Sequence, residues 1–216
     1  MTTPAELLHS ELRRDAARPL LTWYDDATGE RIELSVATAA NWAAKTANLL
    51  ADEHGLGPGD SIVLTPSSHW LSVVVLLGAW TAGVAVDVTG AAGGVALPDD
   101  PAAFMRAVLP QPDALLTAPA DASDIGLVTA AQSWSLAELV ATAGDAPVHC
   151  RVLSTLPLDT IEGVRASVVL PLVAGGSAVL VTNPDVDGLS RRSSAERVSH
   201  TAGGLDVPGI PRLVSD

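Results

Sequence analysis

The stretch Gly55-Leu56-Gly57-Pro58-Gly59-Asp60-Ser61-Ile62-Val63-Leu64, with Trp70 to Ala82 and Val84 to Val88 behind it, decides how this chain folds. Gly55 tolerates the left-handed backbone that follows a helix end, so a helix should stop there and a turn should follow. Ser61 to Thr65 then reads as a short buried strand, Trp70 to Ala82 as a mostly apolar helix and Val84 to Val88 as the next strand. Short β-branched runs bounded by Gly or Pro favour strand over helix. A strand, a helix and a second strand in this order form a unit whose two strands run parallel.

Upstream, Thr3-Pro4-Ala5-Glu6 has the form of a capping box with Pro in the first turn, which predicts a helix from about residue 4 to residue 16. Leu20 to Tyr24 and Arg31 to Leu34 flank Asp25-Asp26-Ala27-Thr28-Gly29, and this pattern predicts a hairpin. Ser35 can cap an Ala-rich helix running through Trp42, Leu49 and Leu50.

Downstream, the pattern weakens between Thr89 and Pro112 and resumes with strands at Asp113 to Thr117 and Ile125 to Thr129 and a helix at Ser135 to Ala143. Arg151 to Leu156 (strand), Thr160 to Ala174 (helix), Ser177 to Thr182 (strand) and a polar helix near Asp185 to Ser199 complete it. Such alternation predicts an α/β fold, a mainly parallel sheet flanked by helices, preceded by the N-terminal helix and hairpin. Residues 1–200 are expected to form one domain, with the Gly- and Pro-rich residues 201–216 as a loose tail.

Composition narrows the function classes. Hydrophobic residues make up 48% of 216, enough to expect a packed core rather than disorder. Twenty-five acidic residues against twelve basic ones give a formal charge of -13, which repels nucleic acid and anionic lipid. The single Cys150 excludes an internal disulfide, and Glu6 and Glu11 stand where a secretion signal would be basic and apolar. A cytoplasmic location is expected. The apolar stretches Trp70 to Val88 and Val164 to Val181 are interrupted by Gly83, Pro171 and Gly175-Gly176, so no membrane insertion is expected.

Candidate chemical groups are few. Lys45 is the only lysine, and it falls within a predicted helix with no Gly-rich loop before it, as a solvated surface charge would. Gly55 to Gly59 follows a helix, and Gly90 to Gly94 lacks the strand–loop–helix setting of a nucleotide fingerprint. His9, His54, His69, His149 and His200 have no metal-ligand spacing, and no metal site is expected. His149 and Cys150 would point to opposite faces of a strand, which disfavours a nucleophile and its base. Asp159 and Glu162, three apart at a predicted helix start, suit capping.

Ile32-Glu33-Leu34-Ser35 leading into the Ala-rich helix, then Gly55 to Leu64, then Gly78-Ala79-Trp80-Thr81-Ala82-Gly83, resemble the opening of the adenylate-forming (acyl-CoA synthetase, AMP-binding) superfamily. A second match is Leu156-Pro157-Leu158-Asp159-Thr160-Ile161-Glu162-Gly163 followed by Leu170-Pro171-Leu172-Val173-Ala174-Gly175-Gly176. It resembles that family's Pro-Leu-aromatic-His-x-x-Gly segment and the Pro-Leu-x-x-Gly-Gly strand entry beyond it. The resemblance implies the fold of a truncated N-terminal subdomain.

The departures bear on activity. Family members carry a Ser/Thr/Gly-rich loop ending in Pro-Lys-Gly between these two matches, where it wraps the ATP phosphates. Here Asp113 to Cys150 contains no such loop and no Lys. The family's later Tyr-Gly-x-Thr-Glu segment, ribose-binding Asp and C-terminal Lys do not occur within the 216 residues. No catalytic or cofactor-binding residue is therefore expected, and ATP and Mg are expected not to bind.

Asp159, Thr160 and Gly163 stand where the resemblance would place an acyl pocket, as its possible remnant. The resulting expectation is a degenerate, non-catalytic domain, a pseudoenzyme that binds a small acyl ligand or an unknown protein partner. The alternative is an AMP-forming acid–CoA ligase component that takes its ATP-binding residues from a second polypeptide.

Overall fold

The computed structural model describes residues 1–65, 67–91, 93–98 and 100–213. Strands and helices follow in the order α1 (Pro4–Asp15), β1 (Pro19–Asp25), β2 (Glu30–Ser35), α2 (Val36–Asn48), β3 (Ser61–Val63), α3 (Trp70–Thr81), β4 (Ala85–Asp87), β5 (Val95–Ala96) and α4 (Pro101–Val108). They continue through β6 (Ile125–Val128), β7 (Ser133–Ser135), α5 (Leu136–Ala141), β8 (Arg151–Ser154), α6 (Ile161–Val164), α7 (Leu170–Val173), β9 (Ser177–Thr182), α8 (Leu189–Ala195) and β10 (His200–Ala202). The α/β class and the mainly parallel pairing stand as expected, but the strands divide into two sheets.

One sheet has the order β10-β8-β9-β1-β2 and the other β5-β3-β4-β6-β7. Each is parallel except at one edge, where β2 pairs antiparallel with β1 and β7 with β6. Alternation of elements shows that parallel pairs must form but not which strands find each other. β1 keeps its hairpin partner β2 on one edge and pairs with β9 on the other, Leu21 lying opposite Ala178, and this long-range ladder separates the first sheet from the second.

The local signals in the sequence have visible counterparts. Thr3 and Glu6 form the reciprocal capping box of α1, and Ser135 and Glu138 form another at α5. Ser35 caps α2 through a bond from the Thr38 amide. All twelve residues of α3 are buried, which explains why this helix shows no polar face. A single hydrophobic core contains α3 together with Leu21, Trp23 and Leu180 of the first sheet and Ile62, Val86 and Leu127 of the second. Along β9, Ala178 and Leu180 face that core, while Val179 and Val181 join a smaller cluster with Leu189 and Val198 on the opposite face.

Three expectations need correction. Asp113 to Thr117 is not a strand. Its backbone is taken up by α2 instead: Asn48 Nδ2 donates to the carbonyls of Pro112 and Ala114 at 3.0 and 2.9 Å, and Asn48 Oδ1 accepts from the Leu116 amide at 3.0 Å. Lys45 is not a solvated charge, because it pairs with Asp113 at 2.8 Å and donates to the carbonyls of Leu109 and Gln111. The stretch from Thr201 does not start as a loose tail; β10 pairs with β8, and Thr201 bridges to Arg212. The last three residues of that stretch lie outside the described residues. Among those described, no helix is long and apolar enough to cross a membrane.

Candidate functional site

The carboxyl ends of β1, β3 and β9 and the start of α3 meet where the two sheets come together, and they enclose a cavity of about 320 Å³. In open α/β sheets, ligands sit at the carboxyl ends of strands, and ligand pockets are mostly apolar with a few placed polar groups. This cavity has both properties. Trp23, Leu71, Val75, Leu97 and Phe104 supply apolar walls, and Asp25, Ser67, Ser68, His69, Ser72 and Thr182 supply polar ones.

A hydrogen-bonded knot ties the two sheets together at its edge. Trp23 Nε1 donates to the Ser68 carbonyl at 2.8 Å and to Thr182 Oγ1 at 2.9 Å, and Thr182 Oγ1 donates to the same Ser68 carbonyl at 2.6 Å. His69 is the N-cap of α3, its Nδ1 accepting from the Leu71 amide at 3.1 Å. The ring lies against Trp23 and Trp70, with centroids at 4.5 and 5.6 Å. Burial pushes the pKa of His69 down, although Glu30 and Asp25 pull the other way, so the ring is neutral at pH 7. With Nδ1 accepting, the proton of the neutral ring resides on Nε2. Hydrogen bonds from Asn183 Nδ2 and the Ala27 amide, each 2.9 Å, hold the Asp25 carboxyl below its usual range. It is therefore ionised near neutrality.

Asp159, Thr160 and Gly163 line neither this cavity, nor a larger second one of about 630 Å³ between α5, α6 and β10, nor a third of about 340 Å³ between α1 and α2. Thr160 caps α6: its Oγ1 accepts from the Gly163 amide at 3.1 Å and donates to the Pro157 carbonyl at 3.1 Å. Gly163 is so close to the Pro157 carbonyl that a Cβ would lie 1.9 Å from its oxygen. Among the described residues, Asp159 Oδ1 is buried with no hydrogen-bond partner. The second cavity takes in Ile161, Glu162 and Arg165 from the same helix, with His200 and Arg212.

His149 is not on a strand: it precedes β8 with φ 58°, and its Nδ1 meets the Gly175 carbonyl at 3.0 Å. Cys150 is buried, and burial raises its thiol pKa. Among the described residues no three His, Cys, Asp or Glu side chains converge on a point. Within Asp113 to Cys150, β6 and β7 are joined by the tight turn Thr129 to Gln132, closed by a 3.0 Å bond from the Thr129 amide to the Gln132 carbonyl.

Sequence reasoning passed over Trp23, His69 and Thr182. The available signal was His69 itself, a side chain able to cap the helix start, placed directly before an apolar run and beside Trp70.

The nearly complete match of one curated protein decides the family. A TIGR03089 family protein of Mycobacterium tuberculosis is 34% identical over 250 positions, which cover 92% of this chain and 99% of that protein. The chain belongs to the TIGR03089 family. No family model matches the sequence. The inhibitor-bound N-terminal domain of FACL13 from Mycobacterium tuberculosis superposes with a TM-score of 0.76 at 14% identity, over 97% of this chain and 68% of that one. Apo MatB from Rhodopseudomonas palustris gives 0.72 at 19% identity, over 94% and 49%. The fatty acyl-adenylate ligase from L. pneumophila, with acyl adenylate and pyrophosphate, gives 0.70 at 13%, over 93% and 44%. This TIGR03089 chain thus has the fold of the N-terminal subdomain of adenylate-forming enzymes and spans about half the length of MatB.

Proposed function

We propose that this TIGR03089 protein is a non-catalytic relative of the adenylate-forming enzymes that works as a binding module, holding a small, mainly apolar ligand in the Trp23–His69 cavity. The cavity itself carries the reading: its size and its apolar walls with a few polar groups are those of a small-molecule site, at the strand ends where such sites form.

Holding a triphosphate takes closely spaced backbone amides and a cation that reaches the outer phosphates. The only lysine is engaged by Asp113 on the flank of α2. The turn from Thr129 to Gln132 is short, and the Thr129 amide and hydroxyl are both spent on the Gln132 carbonyl.

Calorimetry with Mg²⁺ and ATP, beside a thermal-shift screen of aromatic and acyl compounds, tests both halves. The expected outcome is no nucleotide binding at micromolar concentration and a rise in melting temperature with at least one apolar compound. At a hundredfold excess over Kd a ligand adds about 2.7 kcal/mol, or roughly 5–10 °C for a chain of this size. Micromolar binding of Mg·ATP would overturn the non-catalytic assignment.

A further inference from the structure

We infer that the Trp23–His69 cavity selects its ligand by charge, accepting uncharged or ammonium-bearing apolar molecules and rejecting carboxylates. The inference rests on the reading of this cavity as a ligand site and adds the class of ligand.

Among the described residues that line the cavity there is no Lys and no Arg, and Asp25 is the one acidic side chain. A carboxylate entering this space would leave water without gaining a cation, and it would meet a like charge. The start of α3 is the other feature able to attract an anion. Two of its donors are already engaged, the Leu71 amide to His69 Nδ1 at 3.1 Å and the Ser72 amide to the His69 carbonyl at 3.0 Å. Ser67 and Ser72 are also paired, hydroxyl to hydroxyl, at 2.9 Å.

What the lining offers suits a different guest. Neutral His69 has an Nε2–H to donate to a carbonyl or hydroxyl oxygen, and Asp25 can pair with an ammonium group. At about 320 Å³ the space is roughly twice the ~150 Å³ cavity that takes benzene, so it has room for a two-ring body.

The test compares three probes of one shape, 1-naphthamide, 1-naphthylmethylammonium and 1-naphthoate, by calorimetry on the full chain at neutral pH. The amide and the ammonium should each bind at least about tenfold tighter than the carboxylate, equivalent to about 1.4 kcal/mol. Asp25→Asn, checked for folding by circular dichroism, should narrow the gap between carboxylate and amide. Raising the salt concentration should narrow it in the unaltered protein too, by screening the partly exposed Asp25. Naphthoate binding as tightly as naphthamide, or a gap indifferent to both salt and Asp25→Asn, would overturn the charge inference while leaving the cavity a ligand site. If none of the three probes binds, the underlying reading of the cavity fails, and the inference falls with it.

Discussion

The imidazole of His69 rests 4.5 Å from the indole of Trp23, centroid to centroid, and this contact joins the start of α3 in one sheet system to β1 in the other. A histidine held neutral at such a junction makes the junction sensitive to acid.

The sign follows from linkage. Burial holds the folded-state pKa of His69 below its unfolded value, so the unfolded chain takes up this proton first as pH falls. The stabilisation is fully present above the ordinary imidazole value of about 6.5 and is lost as pH drops below it. Melting curves between pH 8 and 5 should show wild type losing more stability over that interval than His69→Asn. Asn retains an N-cap side chain and removes the titration. Parallel curves for the two proteins would disprove the assignment.

Glu196 ties three elements together on the outer face of the first sheet. It accepts from Tyr24 Oη, from Arg151 Nη2 and, at 3.2 Å, from Arg31 Nη2. Burial opposes its ionisation, but these donors outweigh burial and keep its carboxyl below the usual range. Glu196→Gln leaves Arg151, only 16% exposed, without its charge partner. The expected loss is about 2–4 kcal/mol, read from urea unfolding, since breaking a largely buried pair strands the remaining charge. A change within about 0.5 kcal/mol would mean that the cluster is as weak as an exposed ion pair.

Gly163 sits tight against the backbone of Pro157. Because a Cβ there would lie 1.9 Å from the Pro157 oxygen, Gly163→Ala should cost about 2–3 kcal/mol and lower the melting temperature by several degrees. Unchanged stability with altered ligand binding would instead favour a pocket role for this residue.

Much of the fold was legible because its signals are local. The capping box at Thr3, the hairpin around Asp25 to Gly29, the stop at Gly55 and the apolar helix from Trp70 each depend on neighbours within a few residues. What the sequence concealed depends on distant partners. β-propensity at Asp113 to Thr117 lost to side chains of α2: Asn48 takes the Ala114 carbonyl and the Leu116 amide from outside any sheet, and Lys45 pairs with the Asp113 carboxylate. Likewise, Arg151 to Ser154 and Ser177 to Thr182 read as strands, but nothing in them names β1 as the next neighbour of β9.

The site was less legible than the fold. The family resemblance drew attention to Asp159, Thr160 and Gly163, which the structure places in and beside a helix cap. The cavity is built from residues of four separate segments, around 23–25, 63–75, 97–104 and 182, and no sequence spacing announces such a gathering.

The helix α3, enclosed on every side, has a consequence for the whole molecule. Neither sheet can shed it without exposing a greasy rod to solvent, so the halves share one fate on heating. Severed between them, the chain would give two sticky fragments rather than two smaller proteins.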